Sequence, residues 1–198
     1  TDTLPDTLHG LILSRIDRLP LEEQLTLKIA AVIGRTFAYT PLNHLVNRYT
    51  DTASKVLKTH LHDFVQHNLA IQDLPEPDLT YVFKHIITQE VAYQTLLFAQ
   101  RKQLHRQVAS WYKTTFTPLD PYYPLLVHHY HHAEEKEQER DYARLAGERA
   151  AAQYASDEAI RYFSRALELT AQSERQARYE LLSKRLSIKL SEVTVHQN

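Results

Sequence analysis

Tyr81–Tyr112, YVFKHIITQEVAYQTLLFAQRKQLHRQVASWY, is the stretch that decides the fold. Apolar residues recur in it at helical spacing, with a charged break at Arg101 and Lys102. The apolar series is Ile86, Ile87, Val91, Leu96 and Leu97, and then Leu104, Val108 and Trp111. This spacing predicts two helices that separate one compact unit before them from another after them.

The composition is that of an ordinary globular protein, and the length suits two small domains. The chain has 198 residues, 43% hydrophobic and 24% charged. Lys and Arg total 23 against 24 Asp and Glu, so the net charge of -1 gives no global basic surface for nucleic acid. The chain starts at Thr1 and contains no methionine, which predicts a piece of a longer protein.

The absence of cysteine excludes disulfides, thiolate catalysis and cysteine-ligated metal centres, and it fits a cytoplasmic protein. No apolar run approaches the roughly 20 residues of a membrane helix, so we expect no membrane association. With three glycines in the chain, neither a phosphate loop nor a dinucleotide fingerprint can be built. We therefore expect no cofactor, no catalytic residues and no enzymatic activity in this part of the protein.

Residues 1–98 predict a mainly helical domain of winged-helix type with a small β-hairpin. Four helices come first, and two short apolar runs then flank the turn Pro75–Asp78, an order typical of winged helices. The second helix follows Pro20 and is expected to end at Gly34. The predicted helices are Asp6–Leu19, Pro20–Ile33, Thr40–Arg48 and Thr52–His67, and the two runs are Leu69–Asp73 and Leu79–Phe83.

Residues 99–198 predict a helical domain that contains a repeat of tetratricopeptide (TPR) type. After helices at Gln100–Tyr112 and Leu125–Lys136, the segment 140–173 reads as two antiparallel helices around a turn capped by Ser156 or Asp157. Small residues let the two helices approach closely, and an aromatic fills the gap to the next repeat. These packing positions are Ala143, Ala146, Gly147, Ala150, Ala159, Phe163 and Ala166. The last helix, Ser173–Val193, would begin a truncated further repeat.

The central stretch also carries a family pattern, F-K-H-x-x-x-x-E-V-A-Y-x-x-L-L-x-x-x-R-x-x-L-H-x-x-V-A, from Phe83 to Ala109. It resembles the region that follows the nucleotide-binding core of bacterial signalling ATPases of the STAND class (AAA-type cores), including those fused to nucleotide cyclase or protein kinase domains. The segments Leu11–Phe37 and YYPLLVHHYHHAE extend the resemblance. It implies a winged helix, a TPR-like region and a regulatory role in signal transduction.

By this resemblance, the upstream NTPase domain of the same chain is one partner, and other proteins bind the helical repeats. The residues expected to carry interaction or structure are Phe83, His85, Glu90, Tyr93, Arg101, His105, Trp111 and Phe163. Trp111, the single tryptophan, shares a helical face with Leu104 and Val108, so we expect it to be buried where the two domains join.

The polar side chains of these segments are better interpreted as structural anchors than as acid–base catalytic pairs. His85 and Glu90 lie five apart on poorly matched helix faces, whereas Arg101 and His105 lie one turn apart. His128 and His132, also one turn apart, are weak metal-ligand candidates with Glu135 as a loose third ligand; a zinc hydrolase would need this cluster.

The alternative function is that of a fragment of a DNA-binding transcriptional regulator of winged-helix type. The helix before the hairpin offers Lys55 and Lys58 to a phosphate backbone. Glu76 and Asp78 at the tip of the hairpin would be repelled by phosphate. The sequence therefore favours a scaffold that packs on other domains over a nucleic-acid reader.

Overall fold

The structure, a computed structural model, describes residues 3–49, 54–171 and 174–195. These residues form ten α-helices and a small three-stranded antiparallel sheet, so the protein is mainly helical. The chain divides into two compact units, Thr1–Val108 and Ala109–Asn198. None of the described helices is both long and apolar enough to cross a lipid bilayer.

The first unit contains the sheet and the first helices. Its elements are α1 (Thr3–Asp17), α2 (Leu21–Ile33), β1 (Thr36–Ala38), α3 (Tyr39–Val46), α4 (Ser54–Gln66), β2 (Ala70–Leu74), β3 (Thr80–Phe83) and α5 (Ile86–Gln94). The helix α6 (Phe98–Thr115) begins in this unit and ends in the second. The predicted start of α4 at Thr52 lies outside the described residues.

Helix α2 lies at the centre of the first unit. Pro20 occupies its N-cap position, and Glu22 and Glu23 lie in its first turn, where the helix dipole favours negative charge. Gly34 ends the helix with a φ of 150°, a conformation that favours glycine, and its N–H donates to the carbonyl oxygen of Ala30. Residues from Thr26 to Ile33 are buried almost without interruption, as the nearly all-round apolar pattern predicted.

The sheet has one strand more than the predicted hairpin. β3 lies between β2 and β1 and is antiparallel to both. Thr36 pairs with Val82, and the buried Phe37 ring stacks on Tyr81 at 5.9 Å between ring centroids. β1 was not predicted, because a strand of three residues carries no alternation that could be recognised.

Two residues of the central apolar series do not point into the core. Ile86 begins α5 and is half-exposed, and Leu97 lies between α5 and α6 and is 70% exposed. The prediction placed both residues in the apolar series of the first of two helices. The period is broken by β3, which extends to Phe83, and by the turn before Phe98, so the apolar residues at those breaks do not share a face.

The second unit is helical throughout its described part. After a short 3-10 helix (Asp120–Tyr122), it contains α7 (Tyr123–His132), α8 (Lys136–Ala152), α9 (Ser156–Leu169) and α10 (Arg175–Val195). The turn between α8 and α9 falls where it was predicted. The predicted starting residue of the last helix, Ser173, lies outside the described residues.

The predicted cap at Ser156 or Asp157 is wrong, because Ala155 occupies the N-cap position of α9 and no side chain caps it. Tyr154 adopts a left-handed conformation with a φ of 60° and ends α8. The N–H of Ala155 then donates to the carbonyl oxygen of Ala150 at 2.9 Å, a bond typical of a Schellman turn. The turn therefore satisfies its backbone groups without a serine or aspartate cap.

Small residues form the interface between α8 and α9. The buried core of this pair consists of Ala143, Ala150, Ala159, Phe163 and Ala166, together with Leu181 of α10. Gly147 lies against the Phe163 ring, and a Cβ atom added at Gly147 would come within 2.8 Å of ring carbons. The helices can approach this closely only because position 147 has no side chain.

Candidate functional site

The predicted anchors Tyr93, Arg101 and His105 lie together where α5 meets α6. The Tyr93 hydroxyl and the Nε2 atom of the buried His105 are hydrogen-bonded at 3.0 Å, and their rings meet edge-on. The Arg101 guanidinium lies 5.1 Å from the centroid of the Tyr93 ring, and its Nε donates to the carbonyl oxygen of Leu96 at 3.1 Å. Burial raises the pKa of Tyr93, and Arg101 opposes that shift. The three side chains hold the corner between the two helices.

The other members of the family pattern are dispersed. Phe83 is buried in β3 and packs on Phe37 at 5.1 Å between ring centroids. His85 occupies the N-cap position of α5 with extended backbone and is exposed, as is Glu90. Among the described residues, His85 and Glu90 therefore do not join the group at Tyr93, and they do not form a site with each other.

Lys58 faces the turn of the β2–β3 hairpin. Its Nζ atom lies 2.5 Å from Oε1 of Glu76 and 5.8 Å from the centroid of the Tyr39 ring. The hydrogen bond with Glu76 raises the pKa of Lys58 and lowers the pKa of Glu76. Lys55, one turn earlier, is exposed on the same helix. Of the two predicted phosphate contacts, Lys58 is thus partly neutralised by the acidic turn beside it.

His128 and His132 are adjacent on α7, with 4.4 Å between their ring centroids. Nδ1 of His132 donates to the carbonyl oxygen of His128 at 2.9 Å, which leaves Nε2 as the coordinating atom of the neutral ring. Desolvation of its ring, and then the neighbouring His132 and His131, lower the pKa of His128 to about 4. A neutral histidine at physiological pH is the form that binds metals.

The expected third ligand does not complete this pair. Within the described part of the second unit, Glu135 does not join His128 and His132 in a group of three ligands at metal-binding distance. A catalytic zinc takes three protein ligands and a water, and the second unit by itself supplies two.

One buried carboxylate, that of Glu139, was not predicted from the sequence. The Glu139 side chain is 3% exposed, and its Oε1 accepts a hydrogen bond from Nε of Arg165 at 2.6 Å and lies 3.0 Å from Nδ1 of His131. Arg165 also pairs with Glu168 at 2.9 Å. The group connects α7, α8 and α9. The sequence does contain an indication of this group. Glu139 is a charged residue on the same helix face as Ala143, Gly147 and Ala150, a face that otherwise consists of small residues.

The two predicted aromatic anchors of the second unit are both buried. Trp111 contacts the rings of Tyr112 and Phe116 edge-on, at 4.9 and 5.5 Å between centroids. Phe163 fills the space above Gly147. The burial expected for Trp111 is thereby confirmed, whereas its place at a domain junction stays a prediction.

Comparison of the chain with protein-family models, with curated proteins and with solved structures finds no match.

Proposed function

We propose that this chain is a non-catalytic regulatory and protein-interaction module of a larger signalling ATPase of the STAND class. In this proposal the first unit is a winged-helix scaffold that restrains the NTPase core, and the second is a TPR-like arm that receives a partner protein. The pattern from Phe83 to Ala109 supports the assignment to that class, because it resembles the region that follows the core in those ATPases.

The observation that carries the proposal is the packing of α8 on α9. Gly147 and four buried alanines let these helices approach closely, and the single aromatic Phe163 fills the remaining gap. This use of small residues and one aromatic is typical of tetratricopeptide repeats, whose stacked helices present extended surfaces for other proteins. The next helix, α10, packs on α9 through Leu181, as the first helix of a following repeat would.

The order of elements in the first unit supports a winged-helix scaffold. Two helices, a short strand and two further helices precede the β2–β3 hairpin, and β1 pairs beside that hairpin. The pairing of Lys58 with Glu76 favours protein docking over DNA binding, because the acidic hairpin turn competes with phosphate for this lysine. The DNA-binding regulator remains the second candidate, since Lys55 is exposed on α4.

Calorimetry with ATP tests the non-catalytic part of the proposal. We expect no heat of binding from the 198-residue chain, and micromolar affinity for ATP would overturn the assignment. For the restraining role, ATP hydrolysis by the parent protein should rise when residues 1–198 are deleted. An unchanged rate would contradict restraint.

A titration of mixed-sequence duplex DNA at low salt tests the second candidate. Binding that weakens steeply with salt and is lost in Lys55→Glu with Lys58→Glu would favour the DNA-binding regulator. Under the proposal, neither the wild-type chain nor the double variant binds the duplex.

A further inference from the structure

The corner between α5 and α6 presents two adjacent large apolar side chains to solvent. Leu97 is 70% exposed and Phe98 is 59% exposed, whereas Leu96, directly before them, is buried. A single exposed apolar residue is ordinary on a globular protein. Two in succession, next to a residue that packs into the core, form a projecting apolar pair of the kind found where other molecules dock.

The backbone of this corner is fixed by hydrogen bonds. The N–H of Leu97 donates to Oε1 of Gln100 at 3.0 Å, and the N–H of Arg101 donates to the carbonyl oxygen of Leu97 at 3.0 Å. The Arg101 side chain also binds the Leu96 carbonyl oxygen. A partner that contacts Leu97 and Phe98 therefore has little backbone entropy to remove, because the pair is already held in one arrangement.

Basic side chains continue the surface along α6. Phe98, Lys102 and Arg106 are four residues apart and so lie on one face of the helix. The Nζ atom of Lys102 lies 5.5 Å from the centroid of the Phe98 ring. The sequence of α6 contains four Lys or Arg residues and no Asp or Glu, although the whole chain has a net charge of -1. The apolar pair therefore adjoins the basic side chains of Lys102 and Arg106 on α6.

We propose that Leu97, Phe98, Lys102 and Arg106 form a docking surface for an acidic, amphipathic segment of a partner protein. The inference rests on the proposed interaction function and specifies its surface and the chemistry of its partner. Apolar residues of the segment would cover Leu97 and Phe98, which bury aromatic and aliphatic area on binding. Its carboxylates would pair with Lys102 and Arg106, whose charge sets both the rate and the specificity of association.

A protein segment fits this surface better than the phosphate backbone of a nucleic acid. Phosphate contacts use cations and hydrogen-bond donors, and they leave an exposed Leu–Phe pair without a role. An acidic amphipathic helix uses both halves of the surface, since its apolar stripe and its flanking carboxylates lie side by side. Anionic lipid and duplex DNA are separate outcomes of the test below.

The test measures fluorescence anisotropy of labelled peptides with the full 198-residue chain. Three peptides of about 15 residues, long enough to form a helix on binding, share one Leu/Phe stripe and carry Glu, Gln or Lys on the polar face. The Glu peptide should bind at least about tenfold more tightly than the Gln peptide, and the Lys peptide more weakly still. Leu97→Ser with Phe98→Ser should reduce affinity for the Glu peptide about tenfold or more. Lys102→Glu with Arg106→Glu should reverse the preference towards the Lys peptide.

Matched controls come from the same unit. Leu21 is 82% exposed on α2 and Lys55 is exposed on α4, so Leu21→Ser and Lys55→Glu should leave binding of the Glu peptide unchanged. Apart from the partly buried Lys102, the variants alter exposed side chains, and their urea unfolding curves should overlay that of the wild type. A loss of peptide binding in the controls equal to that in the corner variants would overturn the proposal.

The remaining outcomes distinguish a failure of the proposed surface from a failure of the proposed function. If the Glu peptide binds but the four substitutions have no effect, the surface is wrong and the interaction function survives. If none of the peptides binds, the acidic partner is wrong. Mixed-sequence duplex DNA and phosphatidylserine vesicles are tested in the same way. If either of them binds through the same four residues, and the chain does not prefer the Glu peptide to the Gln peptide, the surface binds that other ligand and the proposal is wrong. ATP binding, measured separately, overturns only the proposed function.

Discussion

The two units of this protein fill their interiors in different ways. In the first, large side chains such as Phe37, Phe64 and Phe83 are fully buried around α2 and the sheet. In the described part of the second, the interface of α8 with α9 is made mostly of alanine and glycine, with Phe163 as its one large filler. The first unit should therefore be sensitive to the loss of volume, and the α8–α9 interface of the second to added volume and to unpaired charge.

The largest effect is expected from a cavity in the first unit. Phe64→Ala removes a fully buried ring, so it should lower the free energy of unfolding by roughly 3–5 kcal/mol. Hydrogen exchange followed by mass spectrometry can measure the loss in peptides of the first unit. Phe98→Ala is the matched control, because Phe98 is mostly exposed and its removal should change stability by less than about 0.5 kcal/mol. Equal effects of the two changes would contradict the account of this core.

Removal of one charge from the second unit should cost nearly as much. Arg165→Met leaves the buried Glu139 carboxylate without its guanidinium partner. We expect a loss of about 3 kcal/mol, the lower end of the range for buried pairs, because the Arg165 side chain is 35% exposed. The double variant Glu139→Leu with Arg165→Met should recover most of that loss, since no buried charge remains. A double variant as unstable as Arg165→Met would show that the pair acts through packing instead.

A single added methyl group distinguishes the two kinds of packing. Alanine normally stabilises a helix by about 1 kcal/mol relative to glycine. Gly147→Ala should nevertheless destabilise the second unit by about 2 kcal/mol, because the new Cβ meets the Phe163 ring at 2.8 Å. Gly10→Ala on α1 is the control, since nothing lies within 4 Å of its added Cβ, and it should be neutral or stabilising. Urea denaturation of both variants gives the comparison directly.

The smallest predicted effects concern pH, and they have opposite signs in the two units. Burial, and then the charge of Asp63, raise the pKa of Glu23 above its ordinary value of 4.5. Burial also acts to raise the pKa of Glu148, but hydrogen bonds from Lys184 and Arg144 outweigh it and lower that pKa. The stability due to Glu23 is therefore lost as the pH rises through its raised pKa. The stability due to Glu148 is lost as the pH falls through its lowered pKa.

Urea unfolding from about pH 3 to about pH 7 measures this difference. Relative to the wild type, Glu23→Gln should become more stable as the pH rises, and Glu148→Gln should become less stable. Both changes should be smaller than the effect of Gly147→Ala. Parallel slopes for the two variants would refute the assignment.

Local chemistry in the sequence was enough to predict the limits of α2, because Pro20 has a fixed φ and Gly34 tolerates the positive φ at which the helix ends. It was also enough to predict the tight pairing of α8 with α9, since the small residues recur on one face. The cap at Ser156 was wrong because the left-handed Tyr154 already directs the Ala155 N–H to a carbonyl oxygen. That conformation depends on the turn as a whole and not on the residue types at the cap.

The candidate sites were predictable to different degrees for the same reason. Arg101 and His105 lie one turn apart, so helical spacing already placed them together, whereas the contacts of Tyr93 with both depend on the packing of α5 on α6. Glu139 could be noticed as a charge on a small-residue face, but its partners His131 and Arg165 lie on two other helices. Contacts between distant elements depend on how the helices pack, and residue spacing carries no information about that.

The pairing of β1 with β3 has a consequence for the rate at which each unit folds. Thr36 must meet Val82 across two intervening helices and a strand, so a long loop has to close before this pairing contributes any stability. The contacts of α8 with α9 join neighbours in the sequence and close a short turn. Proteins dominated by local contacts fold faster than those that depend on distant pairings. During synthesis, the second unit should therefore complete its helix pair soon after it emerges, whereas the first unit stays open until β3 has been made.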